Sequence, residues 1–358
     1  MKRYNNIFEK IINTDNIMNA IYRASKGKRE RKEVEKVLDS PFFYAMEIRK
    51  MLINKSYVPN KSKEAVIIDG ISRKVRIIHK PKFYPDQIIQ WSIMLILEEY
   101  FMKGMYHYSC ASIKGRGIYY GAKYLKKILN CDKKNTKYCL KLDIKKFYPS
   151  IDKEILKNKF KRIFKDKNLL DLLNVIVDSE ENIPIGFYTS QWFANFFLTD
   201  LDHYIKEKLK IKYYIRYADD MVLFSNNKKS LHKARILIDE YLKKEKLKLK
   251  ENYCLFNVNN RFIDFLGYKF YRSCIKLRRG IFLKIKRKVK KIYKKKYINV
   301  HNAYSMISYN GWIIHSNYNN YYNKYIKPYV DIEVCKKIIS LYDKSIDKRK
   351  KSDIIKLY

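Results

Sequence analysis

Tyr213-Tyr214-Ile215-Arg216-Tyr217-Ala218-Asp219-Asp220-Met221-Val222-Leu223-Phe224 is the stretch whose reading decides the fold. Two apolar and aromatic runs flank a pair of adjacent aspartates. Such flanks read as buried strands, and so short a gap reads as a tight hairpin. Aspartate is a poor strand residue and a good turn residue, which puts the pair at the tip. Two neighbouring carboxylates repel each other. A solvated turn accounts for them if they stand alone. A divalent cation accounts for them if other carboxylates and a nucleotide-sized site occur in the chain, because Mg²⁺ favours carboxylate oxygens shared with substrate phosphates.

Upstream, Tyr138-Cys139-Leu140-Lys141-Leu142-Asp143-Ile144 is a second short strand ending on a carboxylate. Pro149 stops it, and Ser150 or Asp152 can N-cap a helix over 153–165. A helix over 169–178 and the loop Ile183-Pro184-Ile185-Gly186 follow. A helix over 190–209 carries Phe193, Phe196, Phe197, Leu198 and Leu201 at helical spacing. Beyond the central hairpin come a helix over 229–245 and a strand pair around Leu255-Phe256 and Phe262–Tyr271, the latter holding Phe265-Leu266-Gly267-Tyr268.

Residues 7–60 read as helical, interrupted by the basic run Lys26 to Lys32, for which a solvated loop and a phosphate contact weigh about equally. Ala65-Val66-Ile67-Ile68, Asp69-Gly70 and Val75-Arg76-Ile77-Ile78 read as a hairpin with a D-G turn. Its return limb carries Arg73, Lys74 and Arg76. Such cations either blunt an exposed edge or clamp a triphosphate. Pro81, Pro85 and Asp86 are expected to cap a helix over 87–104. The Gly-rich basic loop His107 to Gly117, with Lys114 and Arg116, precedes a helix over 118–129 and is no Walker A motif.

Residues 276–296 hold 12 Lys and Arg and no acid. Ile281, Phe282, Ile285, Val289 and Ile292 recur at helical spacing, so this is an amphipathic basic helix presenting Lys284, Lys286, Arg287, Lys290 and Lys291. So many like charges repel unless an anion neutralises them. The remainder, 300–346, is helical and rich in tyrosine. The whole chain of 358 residues carries a formal charge of +42, which predicts a polyanionic partner, most simply nucleic acid. Its 47% hydrophobic content supports a real core. Six scattered cysteines without a C-x-x-C pair indicate neither a zinc knuckle nor a disulfide framework. The polar start and the lack of any long apolar run predict no secretory signal, no membrane span and a cytoplasmic protein with reduced thiols.

Taken in order, the cationic hairpin, the strand ending in Asp143, the Gly loop before a Ser-Gln helix, the Asp-Asp hairpin and the Phe-Leu-Gly segment resemble the reverse transcriptase palm over most of the chain. Leu142-Asp143-Ile144-Lys145-Lys146-Phe147-Tyr148-Pro149-Ser150-Ile151 looks like the first catalytic motif of that family, Tyr217-Ala218-Asp219-Asp220 like its Y-x-D-D, and Phe265-Leu266-Gly267-Tyr268 like its primer-grip strand. Most bacterial members carry Q-G-x-x-x-S-P. Here the segment is Ile185-Gly186-Phe187-Tyr188-Thr189-Ser190-Gln191, which resembles the diversity-generating retroelement enzymes. Ala24-Ser25-Lys26-Gly27-Lys28-Arg29 and Ile307-Ser308-Tyr309-Asn310-Gly311-Trp312 agree with that. Asp86-Gln87 departs from the Asp-Arg usual in the family, so the helix there is expected to be wired differently. Defence-associated bacterial reverse transcriptases share similar motifs.

The resemblance implies an α+β right-hand polymerase: an N-terminal helical segment (1–60), fingers with the cationic hairpin (61–140), an antiparallel-sheet palm (141–272) and a small, basic helical thumb (273–358). It implies two Mg²⁺ ions, with Mn²⁺ as an alternative, bridged by Asp143 and Asp219, with the Ile144 carbonyl completing the second site and Asp220 nearby. Lys74 and Arg76 would hold the triphosphate of a dNTP. Tyr148 would exclude a 2′-hydroxyl, while core packing beside Pro149 is the plainer alternative. Gly186 would let the backbone approach the nascent base pair. Ile185 would police that pair by shape alone, giving error-prone copying of template adenines. Lys248 or Lys250 would protonate the leaving pyrophosphate. Structured template RNA, a cDNA/RNA heteroduplex, and an accessory protein or oligomerisation in trans are the expected partners. A catalytically idle, RNA-binding palm is the competing reading, against which the intact carboxylates stand.

Overall fold

The computed structural model describes residues 3–68, 75–317 and 319–355, with side chains as far as residue 344. The expected Asp69-Gly70 turn, together with Arg73 and Lys74, lies outside the described residues. The chain forms two compact units, Met1–Gly117 with Leu140–Leu255, and Ile118–Cys139 with Phe256–Tyr358.

The first unit opens with four helices, α1 (Phe8–Ile12), α2 (Thr14–Ser25), α3 (Lys32–Asp39) and α4 (Pro41–Ile53). Ile11, Ile17, Ile21, Val34, Val37, Ala45 and Ile48 are buried between them. Asn13 caps α2 by accepting from Asp15 N at 2.8 Å. The strands β1 (Lys63–Ile68) and β2 (Val75–Lys80) then pair antiparallel from Lys63↔Lys80 to Ile68↔Val75. A wide turn over Phe83–Gln87 leads into α5 (Ile88–Gly104).

That turn corrects one expectation. Asp86 does not cap a helix; its carboxylate is buried and accepts from Tyr57 Oη (2.9 Å), Asn60 N (3.3 Å) and Asn60 Nδ2 (3.1 Å). Gln87, where the family usually has Arg, bonds on both sides of its amide. Its Oε1 accepts from Lys28 Nζ at 2.5 Å, and its Nε2 donates to Pro81 O at 2.7 Å. Lys28 is thus held by its own chain, and burial, assisted by Arg31, lowers its pKa.

The chain continues through α6 (Ile118–Cys131), which belongs to the second unit, into β3 (Tyr138–Asp143) and the short α7 (Phe147–Ser150). Asp152 caps α8 (Lys153–Ile163) through Ile155 N, at 2.9 Å. Asp166 caps α9 (Lys167–Asp178) and also receives Ile7 N and Phe8 N at 2.7 and 2.9 Å. One buried carboxylate therefore fastens the N-terminus to the middle of the chain. The helix expected over 190–209 is broken into α10 (Tyr188–Phe197), α11 (Thr199–His203) and a wide final turn. Thr199 Oγ1 donates to Asn195 O at 3.3 Å at the break, where a hydroxyl competes with the helical ladder. The hairpin β4 (Tyr213–Tyr217) and β5 (Asp220–Ser225), α12 (Lys228–Lys244) and β6 (Cys254–Asn257) complete the core. The sheet order is β4-β5-β3-β6. The outer side of β4 is closed by a loop: Arg216 N donates to Tyr108 O (3.0 Å), and Cys110 N donates to Arg216 O (2.9 Å).

In the second unit β7 (Ile263–Phe265), β8 (Tyr268–Phe270) and β9 (Ile275–Leu277) form a three-stranded sheet, followed by α13 (Arg279–Lys295), α14 (Val300–Ile314), α15 (Asn319–Tyr325) and α16 (Ile332–Ile355). The basic helix starts later than expected, because Ile275–Leu277 pairs with β8 as a strand. Its apolar face, Ile281, Ile285, Val289 and Ile292, is buried with Ala303, Met306 and Ile313 of α14. Phe265–Tyr268 is not a continuous strand. It is a two-residue turn, with Leu266 and Gly267 both left-handed (φ 53° and 83°), the geometry a tight hairpin favours. The boundaries expected at 60, 140 and 272 follow the order of motifs, whereas compaction follows packing. Residues 118–139 join the C-terminal unit because α6 packs on β8.

Candidate active site

The β4–β5 hairpin closes through Ala218 and Asp219, between the paired Tyr217 and Asp220. The strand interiors are buried on both faces, as continuous apolar runs require, and the tip is half-exposed. In the sheet, β3 lies beside β5, which brings Asp143 to the same edge as the tip. The carboxyl groups of Asp143 and Asp219 come within hydrogen-bonding reach of each other. Burial, then the charge of Asp143, pushes the Asp219 carboxyl up to about 6. Burial likewise pushes Asp220 up to about 6, against the pull of Lys141, whose Nζ lies 3.4 Å from Asp220 Oδ2.

Three carboxylates crowded in this way call for positive charge. Lys250 supplies part of it, with Nζ 2.5 Å from Asp143 Oδ2. The segment 248–250 is held there by Lys145 N to Lys248 O and Lys250 N to Asp143 O, both 2.8 Å, around a bridge between Ile144 and Leu249. Of the two lysines expected near the chemistry, Lys250 reaches the carboxylates, whereas Lys248 contributes its carbonyl and remains exposed. Oδ1 of Asp143 and Oδ1 of Asp220 are buried without a hydrogen-bond partner. Hard, anionic, orphaned oxygens fit a divalent cation. Among the described residues no three His, Cys, Asp or Glu side chains form a complete cage. An ion at Asp143 and Asp219 would therefore share its coordination with substrate oxygens, as Mg²⁺ commonly does.

Tyr148 sits on α7, just after Lys146 turns the chain in a left-handed conformation (φ 47°). Its hydroxyl is pushed up to about 12, first by burial and then by Asp219, with Arg76 acting in the opposite sense. The Tyr148 hydroxyl therefore lies within electrostatic range of both Asp219 and Arg76. Ile185 and Gly186 meet β2 directly: His79 N donates to Ile185 O at 2.8 Å. Gly186 has φ 122°, and a Cβ there would stand 2.3 Å from His79 O. The hairpin backbone is thus a close approach that needs this glycine.

Arg116 is also committed locally. It donates to Tyr106 O (2.7 Å) and Ser109 O (3.2 Å), bracing the Gly-rich loop, while Lys114 is exposed. In the second unit, Lys284, Lys286, Arg287, Lys290 and Lys291 all lie on the exposed side of α13. Phe265 and Tyr268 are buried, Tyr268 Oη donates to Trp312 O at 3.1 Å, and the Trp312 ring leaves no room for a Cβ on Gly267.

Sequence reasoning missed the support beneath the β4–β5 hairpin. Arg216, in the middle of β4, is fully buried, as is Asp202 on α11. The two form a two-pronged pair, Nε to Oδ1 at 2.8 Å and Nη2 to Oδ2 at 2.6 Å. The signal was available: an arginine inside an apolar strand run needs a buried carboxylate, although nothing in the sequence says which one.

Residues 60–270 match the reverse transcriptase (RNA-dependent DNA polymerase) family, and the chain belongs to it. The α+β architecture is that of a right-hand polymerase. The retron Ec73 reverse transcriptase of Escherichia coli is 32% identical over 169 residues, 43% of this chain and 50% of that protein. The chain spans about half the length of this curated relative. Looser structural likenesses include telomerase from Candida albicans in complex with a TWJ fragment of telomeric RNA, at TM-score 0.48, 14% identity, 62% of this chain and 46% of that one. Telomerase from Candida tropicalis, also with a TWJ fragment, gives TM-score 0.46 and 15% identity over 68% and 52%. Among the described residues no helix is long and apolar enough to cross a membrane.

Proposed function

We propose that the chain is an RNA-directed DNA polymerase that extends a primer on template RNA. The observation that carries this is the meeting of Asp143 and Asp219 with orphaned carboxylate oxygens beside Lys250. Asp143 and Asp219, with Asp220 adjacent and the Ile144 carbonyl completing the second site, would hold two Mg²⁺ ions, or Mn²⁺ in their place. Such ions activate a 3′-hydroxyl and stabilise charge at phosphorus. Arg76 binds the triphosphate of the incoming dNTP, a task that a guanidinium fork suits. Lys250 gives a proton to the departing pyrophosphate, a role that its contact with Asp143 Oδ2 supports. The β1–β2 segment serves as fingers, the four-stranded sheet as palm, and α13 with the helices after it as thumb, its exposed lysines following the phosphates of the heteroduplex. Incorporation of labelled dNTP on a primed RNA, stopped by chelation, tests this reading. No incorporation by a folded protein that binds RNA would leave the idle-palm alternative.

Tyr148 is the sugar gate in this scheme. Tyr148→Val admits rNTP at least ~10-fold better relative to dNTP, the scale of one relieved steric contact of about 1–3 kcal/mol. Single-nucleotide incorporation with both sugars measures it; an equal loss with both would assign the ring to packing against Phe147.

For the biological role, Ile185 and Gln191 support a diversity-generating enzyme that copies template adenines unfaithfully. Ile185 offers the nascent pair shape and no hydrogen bond. Ile185→Gln is expected to lower misincorporation opposite adenine more than opposite the other bases, read by sequencing cDNA from a defined template. An even error spectrum in the parent enzyme would favour the second reading, a retron-like or defence-associated enzyme, which the 32% identity to a retron reverse transcriptase supports. An accessory protein or oligomer in trans accompanies either role.

A further inference from the structure

Arg216 does more than neutralise Asp202. Its Nη1 donates to Ala218 O at 3.0 Å and to Asn195 Oδ1 at 3.2 Å, and its Nη2 reaches Asn195 O at 3.4 Å. Asp202 is fixed from a second side by Tyr214 Oη, at 2.7 Å. Asn195 is fixed in turn, its Nδ2 donating to Ala111 O at 2.8 Å. The backbone of Arg216 is clamped at both ends by Tyr108 O and Cys110 N. The guanidinium therefore projects from a rigid base, through a fully buried ion pair with Asp202, onto one carbonyl of the turn.

That carbonyl is the informative one. Ala218 C=O and Asp219 N–H belong to the same peptide unit, whose atoms are coplanar. The N–H end faces the Asp219 carboxylate itself. Ala218 holds a left-handed conformation (φ 54°), which costs an alanine roughly 1–2 kcal/mol. A turn under that strain relaxes by rotating its peptide plane unless something holds the carbonyl. Rotation would swing Asp219 away from Asp143.

We infer that Arg216, held by Asp202 and Asn195, is a positioning residue that locks the Ala218–Asp219 peptide plane and so sets the Asp219 carboxylate for its cation. This rests on the reading of Asp219 as a metal ligand. A buried ion pair is a poor source of net stability, since desolvation offsets most of the attraction. A pair whose guanidinium also donates to a carbonyl of the Ala218–Asp219 turn has a positional use instead.

The test separates position from stability. Arg216→Lys keeps the charge beside Asp202 but loses the fork, so one ammonium cannot serve Asp202 and Ala218 O together. A second variant, Arg216→Met with Asp202→Asn, removes both charges while leaving an acceptor for Tyr214, and covers the case in which the lysine variant does not fold. Each folded variant is examined by thermal melting without metal, by Mn²⁺ binding followed by electron paramagnetic resonance, and by kcat and KM for dNTP incorporation. The expected result is a cooperative melt, Mn²⁺ binding weakened by about 10-fold or more, and kcat lowered by about 10–100-fold with KM little changed, the range seen when groups supporting a metal ligand are removed. Folded variants with parental Mn²⁺ binding and kcat would overturn the inference, as would a lower melting temperature alone. Asp219→Asn, run in parallel, isolates the underlying reading. If it binds Mn²⁺ like the parent, the metal assignment itself is wrong; if it does not, a parental Arg216→Lys overturns the positioning role alone.

Discussion

Asp219→Asn abolishes dNTP incorporation while leaving the melting temperature equal to or above that of the parent. The two halves of this expectation have one cause. Asp219 sits half-buried against Asp143, and both its burial and that neighbour disfavour its charge, holding its carboxyl near 6. At neutral pH, without a cation, the ionised pair is repulsive, so a neutral amide of the same shape relieves strain in the fold. The same substitution removes an anionic oxygen that the cation needs. Loss of several kcal/mol of charge stabilisation corresponds to a fall in rate of roughly 10³-fold or more. RNA binding stays nearly parental, because it draws on lysines and arginines elsewhere. Primer extension, thermal melting and filter binding on one preparation check all three. An active Asp219→Asn enzyme, or one that melts well below the parent, would remove Asp219 from the centre of the site.

Gly186→Ala loosens the contact between the Ile185 loop and β2, and it shows as a lower melting temperature together with a raised KM for dNTP. An added Cβ would stand 2.3 Å from His79 O, and that neighbour is backbone rather than a side chain that can swing away. The φ of 122° is itself strained for an L-residue. Overpacking costs about 1–3 kcal/mol. The loop would relieve it by drawing back and giving up the bond from His79 N to Ile185 O. For a unit of this size each kcal/mol moves the midpoint by about 2–4 °C, so a fall of roughly 5 °C or more is expected. KM rises because β2 carries Arg76. Gly115→Ala is the control: its φ is 75°, but a Cβ there meets nothing within 4 Å. It shares the backbone strain and lacks the clash. If the two variants melt alike, the close approach at Gly186 is not what the glycine serves.

The site was legible in sequence wherever a residue type contradicts its surroundings. Asp219 and Asp220 interrupt an apolar run, and Asp143 ends one, so the strands and their carboxylates were legible, although Asp220, expected at the tip beside Asp219, begins β5 opposite Tyr217. The apolar face of α13 was legible for a related reason: Ile281, Ile285, Val289 and Ile292 repeat at the helical period whatever they pack on. Local chemistry narrowed the cap of α8 to Ser150 or Asp152, and the structure has Asp152. These are properties of a chain with its near neighbours.

Pairings across distant sequence were decided only by the tertiary structure. Lys250 meets Asp143 across 107 residues, and among so many lysines no local feature marks it. Lys28 turns inward to Gln87 across 59 residues, although its basic run reads equally as a solvated loop. Gly186 was recognisable as a place of close approach, yet what approaches it, the carbonyl of His79, depends on how a hairpin folds over a loop. Arg216 announced a need for a carboxylate without naming Asp202. Residue type and period fix which groups must be satisfied, because burial and charge act on each residue where it stands. Which partner satisfies them is settled by which segments pack together, and that is a property of the whole fold.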